Sequence, residues 1–319
     1  MDRFFLLDAL VLIPNIRTRS HMKTHRRILI LADIEGSSAC CDYESTTFMG
    51  DGWPDACLGM TRDVDAVATV LFKAGAEHIY VKDFHRTAYN LIREQLNPKA
   101  ILLSGYKKGP VPGIGLPGDA TGLVMLGMHA PSGSDGFLAH TLTSRILKLE
   151  VNGELMSEAQ FFSASLGRFN LVPLFYSGCP VACDDAKKQM PSLSCFPIQM
   201  TDRLTEPARQ KWRSELADHA VRAVCRGNGR PYLPDGPFIA VVTLDPRRCN
   251  IPKMADHWGF DRQADRITIR TDTIHELYDA LIRLVYFSPV TLKLMPVLLP
   301  LYNFWGWLGL AWAKRQIRG

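Results

Sequence analysis

No cysteine in this 319-residue chain stands in a Cys-x-x-Cys pair, and its eight cysteines are too scattered for a secreted disulfide framework. They read as reduced thiols packed as small hydrophobes. Cys179 and Cys183 lie four apart, but no second thiol or histidine pair completes a zinc-finger spacing beside them. A metal site here would have to be built from imidazole and carboxylate. Charge of one sign is also scarce: the formal net charge is +5, and basic residues are scattered apart from clusters near both ends. No nucleic-acid partner is expected. The apolar start at Arg3-Phe4-Phe5-Leu6-Leu7 is interrupted by Asp8 and leads to no small-x-small cleavage site, which argues against a signal peptide. Internal repeats and low-complexity tracts are lacking too.

What the chain does have is a series of short apolar runs that end in polar residues. Arg27-Ile28-Leu29-Ile30-Leu31-Ala32 reads as a buried parallel strand, with Asp33 and Glu35 directly after it. Residues 63–74 carry helical spacing closed by Gly75, and residues 78–83 read as a second strand that ends near His85. Strand, helix and strand in this order imply a crossover and a parallel sheet. Residues 100–105 and 122–127 supply two further strands, the second delivering His129. Alternation and a turn follow over 148–153, and Ser157-Glu158 opens an apolar helix that runs to Gly167. An apolar run over 171–176 precedes helical stretches from about residue 183 and over 206–225. The Gly/Pro-rich segment 227–231 is the best domain boundary. Beyond it, strands at 238–243 and 266–270 and a helix over 273–286 make a small α+β unit. The fold class is α/β: a mostly parallel central sheet flanked by helices, with a smaller C-terminal α+β unit and an apolar C-terminal tail.

Three of these strands point polar residues at one place, because ligands of open α/β sheets lie beyond the carboxyl ends of the strands. Asp33 and Glu35 are two apart, so in an extended segment both leave from one face. By themselves they fit a helix N-cap with a first-turn acid as well as a metal. Asp83 precedes His85 by two and would either ligate beside it or orient it. His140 follows His129 by eleven residues, past a Pro-Ser-Gly-Ser-Asp-Gly loop, and Glu158 follows by eighteen more. Carboxylate oxygens and neutral imidazole nitrogens are the donors zinc takes when no thiolate is offered. His140 has several roles open to it: proton donor, hydrogen-bond donor to an oxyanion, or nucleophile. His21, His25, His78, His219, His257 and His275 have no such neighbours and read as surface or structural residues.

Ala32-Asp33-Ile34-Glu35-Gly36, Val81-Lys82-Asp83-Phe84-His85, Leu126-Gly127-Met128-His129-Ala130, His140 and Glu158 together resemble the D-aminopeptidase family, the DppA-type or M55 metallopeptidases, over roughly residues 26–286. The resemblance implies two zinc ions per chain. Asp33 would bridge them, with Glu35 and His129 completing one site and His85 and Glu158 the other, and His140 would be the catalytic histidine. It further implies hydrolysis of the N-terminal bond of short peptides, with a D-amino-acid preference in the type case, in a ring-like homo-oligomer. Other readings of the same residues are a dizinc amidase for non-peptide substrates and a membrane-tethered, non-catalytic peptide-binding protein.

The division expected is an N-terminal extension over 1–25, with Met22 an alternative start to Met1, then a catalytic metal-binding α/β domain over 26–230. A small α+β domain over 231–290 and the tail over 291–319 complete it. Residues 294–313 carry no formal charge and are long enough to cross a bilayer core of about 30 Å as a helix. Pro296, Pro300 and Asn303 speak against spanning, whereas Tyr302, Trp305, Trp307 and Trp312 suit a headgroup interface. Membrane contact and subunit docking remain equal alternatives for this tail, and the location expected is cytoplasmic, with membrane association through the tail as one form of it.

Overall fold

The computed structural model describes residue 22, residues 24–199 and residues 204–318. The expected extension over 1–25 falls largely outside the described residues, as does His21. The first four strands are β1 (Arg27–Ala32), β2 (His78–Asp83), β3 (Ile101–Leu103) and β4 (Gly122–Met128), with α1 (Trp53–Lys73) between β1 and β2. A hairpin of β5 (Ile146–Val151) and β6 (Glu154–Leu155) follows, then α2 (Glu158–Gly167), β7 (Val172–Gly178), α3 (Pro180–Gln189) and β8 (Ser194–Pro197). The remainder is α4 (Glu206–Arg226), β9 (Phe238–Leu244), α5 (Ile251–Trp258), β10 (Asp261–Gln263), β11 (Arg266–Thr271), α6 (Ile274–Tyr286) and α7 (Pro289–Arg318).

A six-stranded sheet in the order β3-β2-β1-β4-β7-β8 is parallel throughout. Its central strands β4 and β7 are buried along their whole length, which is why they read as continuous apolar runs rather than alternating ones. In β1 the pleat divides the side chains: Ile28 and Ile30 enter a core with α1 and α4, whereas Leu29 and Leu31 enter one with α2 and the second sheet. That second sheet is antiparallel, in the order β10-β11-β9-β5-β6. Its strands come from both sides of the 227–231 segment, so residues 146–155 and 238–271 share one sheet and one apolar core. α6 closes that sheet with Leu277, Tyr278, Leu281 and Leu284 buried.

α1 begins ten residues ahead of the helical spacing read from the sequence. Pro54 sits in its first turn, where a missing N–H costs nothing, and Trp53, Ala56, Cys57 and Met60 extend the buried stripe backwards. α7 contains Pro296 and Pro300 without ending at either. It lies along the body rather than apart from it. Asn303 accepts from the Tyr106 backbone N–H at 2.9 Å and donates to its carbonyl at 3.1 Å. The Tyr302 hydroxyl donates to the Arg86 carbonyl, and Trp312 stacks on Trp53 with ring centroids 6.3 Å apart. Gly306 and Gly309 face Thr87, Tyr89 and Phe48 so closely that a β-carbon at either would collide.

Candidate metal centre

The register of the parallel sheet sets three strand ends level. Ala32 pairs with Asp83 on one side and Leu126 on the other, so Asp33, His85 and His129 emerge from adjacent strands β1, β2 and β4. The chain moves outward from β1 to β2 and then crosses to β4, which opens a crevice between β1 and β4. Backbone hydrogen bonds draw its walls together: Asp33 N–H donates to the Leu126 carbonyl at 2.8 Å, and Gly36 N–H to the Gly127 carbonyl at 2.7 Å. Gly127 has φ +73°, and a β-carbon there would lie 2.1 Å from the Asp33 carbonyl oxygen. Only glycine fits this approach.

Two further donors come from the β4–β5 loop and from α2. His140 N–H donates to the Ala130 carbonyl at 3.0 Å, and the Thr141 hydroxyl bridges the Ser132 N–H and the Met156 carbonyl. The loop is thereby folded back over α2. Glu158 opens α2, where the helix end favours an anion, and its Oε1 accepts from Leu142 N–H at 2.6 Å. Gln160 locks the turn by accepting from both the Ser157 N–H and its hydroxyl.

All six residues singled out in the sequence meet in this crevice. Asp33 turns its two oxygens to different histidines: Oδ1 lies 3.2 Å from His85 Nδ1, and Oδ2 lies 3.7 Å from His129 Nε2. Glu35 does the same, with Oε2 at 2.9 Å from His85 Nδ1 and Oε1 at 4.0 Å from His140 Nε2. Glu158 Oε1 is 3.6 Å from His129 Nε2. The donor atoms form two triads, Asp33-Glu35-His85 and His129-His140-Glu158, each with its atoms within 4.8 Å of one another. These shortest approaches join His85 to Glu35 and His129 to Glu158, whereas the resemblance divides the same carboxylates the other way, Glu35 with His129 and Glu158 with His85.

Each imidazole is oriented by a backbone carbonyl, which only accepts. His85 Nε2 faces the Thr46 carbonyl at 2.9 Å, His129 Nδ1 the Ala130 carbonyl at 3.2 Å, and His140 Nδ1 the Leu138 carbonyl at 2.8 Å. In every case that nitrogen carries the proton, and the other nitrogen is turned to the carboxylates. The rings of His129 and His140 stack with centroids 3.8 Å apart. His140 differs in access, since its side chain is 22% exposed where the other five are between 2% and 7%.

The electrostatics follow from this packing. Burial disfavours the charged form of His85, but the carboxylates of Glu35 and Asp33 outweigh it and raise the group well above its ordinary value. His129 is likewise opposed by burial and raised by Glu158, to about 10. Burial pushes Asp33 and Glu158 up; Glu35, His85 and His129 more than compensate at Asp33, and His129 and His140 at Glu158, leaving both lower than usual. Burial and the charge of His129 lower His140. Two buried atoms in this cluster, Glu35 Oε2 and His129 Nε2, have no partner in hydrogen-bonding geometry, although Glu35 Oε2 lies 2.9 Å from His85 Nδ1. Orphans of this kind are costly, and a divalent cation among carboxylate and imidazole donors satisfies them. The donor set therefore fits zinc.

Asp83 belongs to neither triad. Its carboxylate accepts from the Asn90 side chain at 2.9 Å and from Leu91 N–H at 3.1 Å, while Asn90 also donates to the His85 carbonyl at 2.8 Å. Behind Glu35, Asp63 accepts from Ser38 N–H at 2.8 Å, from the Ser38 hydroxyl at 2.6 Å and from Arg213 Nε at 2.9 Å. This buried network ties the Asp33–Glu35 turn to α1 and α4. None of the eight cysteines is in a disulfide and none belongs to either triad.

A family model described as D-aminopeptidase, Peptidase M55, matches residues 26–282. A D-aminopeptidase of Bacillus subtilis (strain 168) is 25% identical over 178 residues, or 55% of this chain. The chain spans 64% of the length of that curated relative. Among solved structures, one described as the Zn-dependent D-aminopeptidase DppA from Bacillus subtilis, a self-compartmentalizing protease, matches with a TM-score of 0.70 at 20% identity. That match covers 81% of this chain and 96% of the other, and it shows a shared fold.

Proposed function

This chain belongs to the D-aminopeptidase family, Peptidase M55, and on that premise we propose that it is a zinc-dependent aminopeptidase holding two zinc ions, which cleaves the N-terminal residue from short peptides, D-amino-acid peptides among them. One observation carries the reading: the two oxygens of the buried Asp33 carboxylate are turned to histidines from opposite walls of the crevice. That is the arrangement a bridging carboxylate needs. His85 and His129 would supply imidazole on the two sides, with Glu35 and Glu158 as the remaining ligands. Zinc, when bound, polarises a carbonyl and lowers the pKa of bound water towards about 7.

The chain's own residues do the rest. The Leu138 carbonyl holds the proton of His140 on Nδ1, which leaves Nε2 to accept a proton inside the crevice and return it to the leaving amine. Its greater exposure makes it the group of the six that faces incoming substrate. Thr46, Ala130 and Leu138 hold the rings in place, so the site needs little rearrangement to bind metal. The relatives' descriptions, a D-aminopeptidase and a self-compartmentalizing protease, support the substrate class and a homo-oligomer; the ring-like form and the cytoplasmic location are carried to this chain from the family resemblance as part of the proposal.

Elemental analysis of wild type and Asp33→Ala, with release of alanine from D-Ala and L-Ala dipeptides, tests it. Two zincs per chain and hydrolysis, both lost with Asp33, are expected. No bound metal and no gain on adding zinc would overturn the reading.

A further inference from the structure

The family match ends at residue 282, and α7 lies beyond it. This helix has two faces of different character. Its inner face is sealed: Gly306, Gly309 and Ala313 are buried, Asn303 is bonded to the Tyr106 backbone, and Lys314 pairs with Glu94. Its outer face carries Val290, Leu294, Val297, Leu301, Phe304 and Leu308, at alternating steps of four and three, each between 40% and 66% exposed. Such a stripe runs straight along one side of a helix about 45 Å long. An apolar surface of that length is not left in water without an occupant.

Charge decides between the occupants. From residue 287 to the end the chain contains no Asp or Glu, whereas Lys293, Lys314, Arg315 and Arg318 are basic. Two copies laid stripe to stripe would bring cations together with no acid to meet them, and a coiled-coil seam flanks its stripe with paired charges. The flanks here are Leu298, Trp305 and Trp307, all exposed. Leucine and phenylalanine at the acyl boundary, tryptophan at headgroup level and Lys/Arg against anionic phosphates are the pattern of a helix lying in a membrane interface. Spanning would require the inner face to part from the body and break its bonds to Tyr106 and Glu94.

We propose that the outer face of α7 docks the protein flat on an anionic lipid surface. The inference stands on α7 alone and does not depend on the metal reading. The test is co-sedimentation of the full chain with vesicles of phosphatidylcholine, with and without phosphatidylserine, beside the double variant Leu301→Glu/Phe304→Glu and the single variant Lys293→Glu. Both target exposed side chains, so melting temperature and metal content should match wild type. Wild type should sediment with the anionic vesicles, and less so as salt is raised. The double variant should lose this binding, and Lys293→Glu should weaken it by at least about fivefold. Failure of wild type to bind anionic vesicles overturns the proposal, as does binding that the double variant retains. A drop in assembly size by light scattering in the double variant, without vesicle binding by wild type, would assign the face to a second copy instead.

Discussion

Between β1 and β4, six ionisable side chains are packed together and, His140 apart, none is more than 7% exposed. Along the outer stripe of α7, six large apolar side chains are between 40% and 66% exposed. The two regions depart from the usual partition in opposite directions, polar groups drawn inside and apolar groups left outside. They are also built differently. In the crevice every imidazole is oriented by a carbonyl and the turns are held by backbone bonds, so the donors are positioned before anything binds. On the outer face of α7 the side chains are half-exposed, with Phe304 stacked on Trp307 of the same helix, and it is their spacing and the surrounding charge that are specific. A preorganised polar site calls for one occupant of defined size and charge, whereas a loose apolar stripe calls for a surface.

That contrast breaks most completely at Asp33. Asp33→Ala should remove bound zinc and lower kcat/KM by at least about a thousandfold, because it deletes a group shared by both walls; atomic absorption and dipeptide assays check it. Next comes His140→Ala, for which kcat should fall by about a hundredfold or more while zinc content stays at the wild-type level. Equal loss of zinc and activity would make His140 a ligand instead. Removing the support behind the crevice is a matter of stability: Arg213→Met leaves Asp63 buried beside Ser38 without its cation, and unfolding in denaturant should show a loss of about 3–5 kcal/mol. On the other region, Asn303→Ala removes the bonds to Tyr106 and should cost about 1–2 kcal/mol, leaving the exposed stripe intact.

Proton linkage sharpens the comparison further, since α7's outer stripe has nothing to titrate. In the metal-free crevice His129 titrates near 10 against an ordinary 6.5, so its contribution to stability is complete below 6.5 and is lost as pH rises towards 10. The metal-free protein should therefore lose melting temperature over that range. Zinc competes with the same proton, so its apparent affinity should rise over the same window by up to about tenfold per pH unit for each proton released. Calorimetry in buffers of different ionisation enthalpy measures that release directly.

Asp33, Glu35, His85 and His129 were legible as candidates because they follow apolar strand runs, and residues that leave a parallel strand at its carboxyl end have few other places to go; His140 and Glu158, from a loop and a helix start, were picked out by their spacing and by the resemblance. Less legible were the groups that orient them. Thr46, Ala130 and Leu138 act through carbonyls, which every residue possesses, and Asp63, Ser38 and Arg213 meet from segments distant in the chain. Asp83 illustrates the same limit: its spacing from His85 suggested orientation of the ring, but its bonds go to Asn90 and Leu91, which hold the following loop. In the fold, β5 alternates as an antiparallel strand should, yet alternation does not name a partner, and its pairing with β9 crosses the Gly/Pro-rich segment read as a boundary. The short β8 and β10 offered too few residues for any period to emerge. For α7 the prolines were held against spanning a bilayer, and the helix runs through both of them, each at an exposed position.

The level ends of β1, β2 and β4 make the sheet a ruler. Neighbouring strands lie about 4.8 Å apart wherever such a ladder forms, so the gaps between Asp33, His85 and His129 are inherited from backbone pairing and not from the lengths of the side chains. Substitutions around the crevice can change which ion or peptide is preferred. They cannot readily change the pitch at which the donors are offered, because doing so would mean taking apart the strand pairing in the middle of the molecule.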